Sequence, residues 1–195
     1  MKLYGRADAE LELQDAMDRG DLESARHVAA WLDQLGPPPR ATMLGAALWY
    51  ASVGLPVFPL QPGGKIPFPR SRGVKDASTD EAVVRGMFAV PANIGLATGH
   101  RVDAIDFDGP SAHVEWGRRY PTWDDAGVHV LGTVATPRPG GIHVYVPATG
   151  APNAAGLVPG VDYRGLGGYV VVPPSSTPIG HYRWLRQLDP LELPT

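Results

Sequence analysis

Over the first 36 residues the apolar positions recur at helical spacing, with Leu22, Ala25, Ala29, Leu32 and Leu35 on one face. A break at Gly20-Asp21 divides the run into two short helices. Asp21 is suited to cap the second, and Glu23 lies in its first turn. The pattern predicts a helical hairpin over 1–36, set off by the stiff Pro37-Pro38-Pro39 connector. Its apolar face needs a partner, so the hairpin either covers apolar surface of the main domain or adds a template- or partner-binding element.

Beyond the prolines, a helix is expected from Ala41 to Val53, ended by Gly54, and then a strand from Pro56 to Leu60. A loop rich in Gly, Pro and basic residues fills Gln61 to Asp76. Ser78-Thr79-Asp80-Glu81 then opens another helix, with Ser78 three residues before Glu81 in a capping-box arrangement. From there the alternation is mostly that of strands: Ile94 to Ala97, Val102 to Phe107, Val128 to Ala135, Ile142 to Val146, Tyr169 to Val172 and His181 to Trp184. Pro110 to Tyr120 is the one helix among them, starting on a first-turn proline. Helices followed by strands predict α+β with a mainly antiparallel sheet. The expected main domain spans 41–187, and residues 188–195 read as a linker leading towards further domains.

With 195 residues, 44% of them hydrophobic, the chain can build one core of ordinary size plus a small appendage. The absence of cysteine excludes disulfides, a thiolate nucleophile and thiolate zinc sites. No apolar run reaches the length of a membrane span, and residues 1–21 are charged throughout, so no membrane association and a cytoplasmic setting are expected. The net charge of −3 argues against a broadly basic nucleic-acid surface. It is uneven, however. Residues 1–40 hold 5 basic and 8 acidic side chains, which from totals of 17 and 20 leaves 12 of each in the remainder. There Lys65, Arg70, Arg72 and Lys75 cluster, either as a phosphate-facing patch or as a solvated loop.

The sharpest chemical signal is Ala104-Ile105-Asp106-Phe107-Asp108-Gly109, where an apolar strand ends in carboxylates at i and i+2. Strand alternation turns both to one face, where they repel one another unless a cation lies between them. Oxygen ligands without sulfur suit magnesium or manganese. A strand end with two solvated acids satisfies the same pattern. Two more elements add to it: Gly140-Gly141-Ile142-His143-Val144-Tyr145, with His143 and Tyr145 on one face, and Gly160-Val161-Asp162-Tyr163-Arg164-Gly165, with a third acid two residues from a cation.

Together with Tyr50 to Leu60, Pro62-Gly63-Gly64-Lys65, Asn93-Ile94-Gly95, Thr98-Gly99, Thr136 and Gly168-Tyr169-Val170-Val171-Val172-Pro173-Pro174-Ser175, these segments resemble, in order, the bifunctional DNA primase/polymerase N-terminal domain. That family belongs to the archaeo-eukaryotic primase superfamily. The resemblance runs from about Ala41 to Trp184 and leaves out 1–36. It implies an antiparallel catalytic lobe with flanking helices, a second small mixed lobe carrying Lys65, and an active site in the cleft between them. It further implies Asp106, Asp108 and Asp162 as ligands of two magnesium or manganese ions, with no zinc. His143 would contact the incoming nucleotide's phosphates, and Lys65, Arg138, Arg164 and Ser175 would join it in nucleotide binding. Tyr145 or Tyr163 would stand near the sugar. Many relatives carry Arg just before the motif histidine where this chain has Ile142, so that contact is either lost or moved to Arg138. Some relatives use Glu where this chain has Asp108, and hold a zinc-binding insertion for which it has no cysteines.

The implied activity is primer synthesis and extension from nucleoside triphosphates on single-stranded DNA, in phage, plasmid or mobile-element replication within a bacterial host or phage-infected cell. Any helicase would be a downstream domain or partner, because Pro62-Gly63-Gly64-Lys65-Ile66 lacks the spacing and Ser/Thr of a phosphate-binding loop. Two other readings fit fewer features. One is a non-catalytic origin-binding or helicase-loading module of the same fold, which the presence of all three acids disfavours. The other is a metal-dependent nuclease or phosphohydrolase, which would be expected to carry a richer histidine cluster.

Overall fold

The structure, a computed structural model, describes residues 15–17, 19–21, 23–24, 26–28, 42–123 and 125–194. The chain divides into two compact units, Met1–Ala41 and Thr42–Thr195. In the first, residues 15–17, 23–24 and 26–28 are helical. Gly20 turns the chain with φ +69°, and Asp21 Oδ1 accepts the Ser24 amide at 3.1 Å. Leu22, Ala25, Ala29, Leu32, Leu35 and the proline run lie outside the described residues.

The second unit begins with α1 (Met43–Ser52), capped by Thr42, whose Oγ1 accepts the Gly45 amide at 3.0 Å. Next come β1 (Val57–Leu60), a 3-10 turn at Gly73–Asp76 and α2 (Glu81–Met87). The cap of α2 is Asp80, which accepts from Val83 N, and not the expected Ser78. Ser78 Oγ instead accepts the Asp80 amide, because a turn separates it from the helix. The remaining elements are β2 (Asn93–Ala97), β3 (Val102–Phe107), α3 (Pro110–Arg119), β4 (Gly132–Ala135), β5 (Ile142–Pro147), β6 (Ala154–Val158), β7 (Val161–Arg164), β8 (Tyr169–Val172), β9 (Ser176–Thr177), β10 (Gly180–His181) and β11 (Arg183–Arg186).

The fold is α+β with antiparallel pairing between all of these strands. A three-stranded sheet runs β1-β2-β8, a six-stranded sheet runs β11-β4-β5-β3-β7-β6, and β9 and β10 form a small ribbon. The strand expected over 128–135 starts only at Gly132. The one expected over 181–184 divides at Tyr182, with His181 pairing to Ser176 and Trp184 to Val134.

Alternation along β3 builds two cores. Val102 and Ala104 join Leu96, Val170 and Tyr145 in the larger one, while Ile105 and Phe107 pack with Ala112 and Trp116 of α3 in the smaller. The segment after 187, expected to leave as a linker, is packed in. Leu188 and Leu193 are buried in the larger core, and the Arg101 guanidinium donates to the carbonyls of Leu193 and Pro194. Among the described residues no helix is long and apolar enough to cross a membrane.

Candidate active site

Register places the motif residues. Asp106 of β3 stands opposite His143 of β5 on one side and Asp162 of β7 on the other. Directly paired residues share a face, so the three form one row across the sheet. Asp108 follows at the strand end, where its amide donates to Gly160 O at 2.9 Å and ties it to the turn before Asp162. A cavity of about 310 Å³ opens over this face, lined by Lys65, Asp106, Asp108, Arg138, His143 and Arg164.

Both cavity carboxylates face arginine. Arg138 Nη1 lies 2.5 Å from Asp108 Oδ1, and Arg164 Nη2 is 2.8 Å from Asp162 Oδ2 and 3.4 Å from Asp106 Oδ2. The turn that carries Arg138 needs its glycines. Gly140 has φ +71°, and a Cβ on Gly141 would stand 2.3 Å from Thr136 Oγ1. Among the described residues the Lys65 ammonium has no hydrogen-bond or ion-pair partner, so it is the cavity cation open to an incoming anion.

His143 is buried, with Nε2 3.6 Å from Asp106 Oδ1 and Tyr182 packed 5.7 Å away, centroid to centroid. Burial lowers its pKa to about 4, an effect that Asp106 only partly opposes, while Lys65 and Arg164 lower it further. It is therefore neutral near pH 7, a hydrogen-bonding group and not a cation. Among the described residues its buried Nδ1 has no partner.

Four expected residues stand elsewhere. Asp162 shares the row but does not line the cavity, being engaged by Arg164 and, at 2.9 Å, by the Gly156 amide. Ser175 is wholly buried and its Oγ accepts the Ile94 amide at 2.8 Å, which makes it a link between strands. Tyr145 is buried in the larger core, and Tyr163 bonds Asp103 and Thr149 on the other face, so neither reaches the cavity. The tyrosines that do line it are Tyr169 and Tyr182, with Asn153 beside them. Tyr182 lies within an expected strand, and Tyr169 within the Gly168–Ser175 segment that carries the family resemblance. What places them is the register and the split at 182, which local alternation does not encode.

For a divalent cation, the fit rests on donor chemistry. Asp106 and Asp108 offer hard oxygen donors to one cavity, as magnesium or manganese prefers. Among the described residues no three acidic or histidine side chains are already gathered as a cluster, in keeping with the arginine pairing of each acid.

A comparison with curated proteins finds no significant match. The family profile described as bifunctional DNA primase/polymerase, N-terminal, matches residues 47–195, which takes in both sheets, the Lys65 loop and every residue of the cavity. The chain thus belongs to the bifunctional DNA primase/polymerase N-terminal family.

Proposed function

We propose that this chain synthesises and extends primers on single-stranded DNA by nucleotidyl transfer from nucleoside triphosphates, in the replication of a phage, plasmid or other mobile element. The observation that carries the reading is the row of His143, Asp106 and Asp162, beside a cavity whose other walls bring Asp108, Lys65, Arg138 and Arg164. In such a reaction a primer hydroxyl attacks the α-phosphate and pyrophosphate leaves. Divalent cations held by Asp106 and Asp108, with Asp162 as a third ligand, would stabilise charge on the attacking and leaving oxygens.

The chain's own groups do the rest. Lys65 meets the triphosphate first, because among the described residues no carboxylate holds it. Arg138 and Arg164 neutralise the acids in the free protein and turn to phosphate as nucleotide enters, leaving the carboxylate oxygens to cations. Neutral His143 donates a hydrogen bond to a phosphate oxygen from Nε2, which lies on the Asp106 side of the ring. Template pairing selects the base.

The test is incorporation of labelled nucleotide on unprimed single-stranded DNA with magnesium or manganese, wild type against Asp106→Ala/Asp108→Ala. Metal-dependent product from wild type alone is the expected result. Template binding without product from wild type would instead favour a non-catalytic module of the same fold.

A further inference from the structure

Lys65 reaches the cavity from a loop without regular secondary structure, between Gly63-Gly64 and Pro67. A long flexible cation on such a loop would lose substantial freedom on meeting a phosphate. Here much of that loss precedes binding. The loop closes on itself, since Gln61 N donates to Ile66 O at 2.9 Å and Gln61 Nε2 to Pro67 O at 3.0 Å. Two side chains of the three-stranded sheet then fasten it from below.

Asn93, at the start of β2 and only 2% exposed, donates from Nδ2 to Gly64 O at 2.8 Å and to Ser176 O at 2.6 Å. Its Oδ1 accepts the Ser176 amide at 3.2 Å, so the amide group is used at both ends. Tyr169, at the start of β8, donates its hydroxyl to Lys65 O at 3.1 Å and sets its ring edge-on to Phe58 at 5.1 Å. Gly64 O and Lys65 O belong to the two peptide units on either side of the Lys65 Cα. Both are therefore pinned, one by a buried amide and one by a ring locked in the sheet.

We infer that Asn93 and Tyr169 are positioning residues for nucleotide binding, fixing the two peptide units that flank Lys65 so that its ammonium is preorganised for the triphosphate. The inference rests on the reading of Lys65 as a triphosphate contact. It extends the site to residues that hold the loop, and one of them, Asn93, does not line the cavity. Asn93 also braces β2 against Ser176, so truncating it would disturb stability as well as position. Tyr169→Phe is the cleaner probe, because it removes the bond to Lys65 O and keeps the ring on Phe58.

The experiment is a double-mutant cycle on the full chain. Wild type, Tyr169→Phe, Lys65→Ala and the double variant are compared for the Kd of a fluorescent nucleoside triphosphate analogue, for KM against kcat, and for thermal midpoint. Loss of a charged hydrogen-bonding contact predicts roughly 30-fold weaker binding for Lys65→Ala. Tyr169→Phe should weaken binding about threefold, with the loss in KM more than kcat and an unchanged midpoint. Beside Lys65→Ala it should add less than about 1.5-fold, since groups that act through one another are not additive. Equal weakening by Tyr169→Phe in both backgrounds, or none in wild type, would overturn the inference while leaving Lys65 as a contact. Unaltered affinity in Lys65→Ala would overturn the reading of Lys65 itself, and the inference with it.

Discussion

Asp103 and Asp106 lie three residues apart on β3 and point to opposite faces of the same sheet. Asp103 is fully buried and saturated: its carboxylate accepts the amides of Gly99 and Thr149, each at 2.8 Å, and the Tyr163 hydroxyl. Burial and the bond to Asp103 push the Tyr163 phenol up to about 12, so it stays a donor at any ordinary pH. The Asp106 side chain is 21% exposed, and among the described residues its carboxylate has no partner nearer than 3.4 Å. One acid has its charge committed to the fold, holding the turn after β2 and the loop after β5. The other keeps its charge available to something outside the chain. A site acid is thus recognised by how loosely the fold holds it, and burial alone would have selected the wrong aspartate.

The sharpest way to break this contrast is to remove each acid in turn. Asp106→Asn should cost roughly 10³-fold in nucleotide incorporation, the equivalent of several kcal/mol of transition-state stabilisation. Its thermal midpoint should move little. Repulsion between Asp106 and Asp108 predicts, from sequence, a midpoint that stays flat or rises on truncation. The structure tempers the rise, because each carboxylate already has an arginine beside it. Asp103→Ala should do the reverse. Stranding the part-buried donors around Asp103 costs about 3 kcal/mol, and at about 2–4 °C per kcal/mol for a unit of this size the midpoint falls by roughly 6–12 °C. Incorporation measured well below that midpoint should stay within a few-fold of wild type. Equal damage to activity from both variants would mean that the two faces are not functionally separate.

Much of this was legible in the chain. The β3 and β8 boundaries match the alternation, and the Asp-x-Asp, Gly-Gly-Ile-His and Val-Asp-Tyr-Arg segments converge on one face. The rest depended on information that is not local. β6 is solvent-exposed with Gly156 at φ +67°, and β7 is four residues long with Val161 as its one fully buried member, so neither shows a period to read. Ser175 and Tyr145 sit in family motifs yet serve the core, because a motif constrains fold and site together. Asp103 looks in sequence like a spare acid beside the motif, and its donors arrive from segments 4, 46 and 60 residues away.

His143 extends the contrast to pH. Unlike Asp103, it is buried without bonds that compensate its charged form, and burial holds its pKa near 4 against an ordinary 6.5. Between those values the unfolded chain takes up a proton that the folded chain refuses. The stability contributed by neutral His143 is therefore whole above pH 6.5 and is lost as pH falls towards 4. The loss amounts to about 3 kcal/mol by the acid end, at 1.4 kcal/mol per pH unit. In metal-free buffer the midpoint of wild type should fall more steeply between pH 7 and 4.5 than that of His143→Gln. Parallel slopes would show that the imidazole is hydrated and not sealed.

A small stability effect is expected at Arg138 as well. Its pair with Asp108 is short, but the two side chains are 52% and 56% exposed, and water screens a pair of that kind to about 0–1 kcal/mol. Arg138→Gln should therefore shift the midpoint by no more than about 4 °C. The same screened attraction must be broken whenever a cation takes Asp108, so its removal should tighten nucleotide-free Mn²⁺ binding, read by electron paramagnetic resonance, by about threefold. Binding of nucleoside triphosphate should weaken at the same time, since the guanidinium is then missing from the phosphate side. Opposite movement of the two affinities is what a cation standing in for metal in the free site requires. A midpoint that drops by many degrees with unchanged Mn²⁺ binding would make Arg138 a brace of the Gly140–Gly141 turn, and would put Asp108 with Asp103 among the acids that serve the fold.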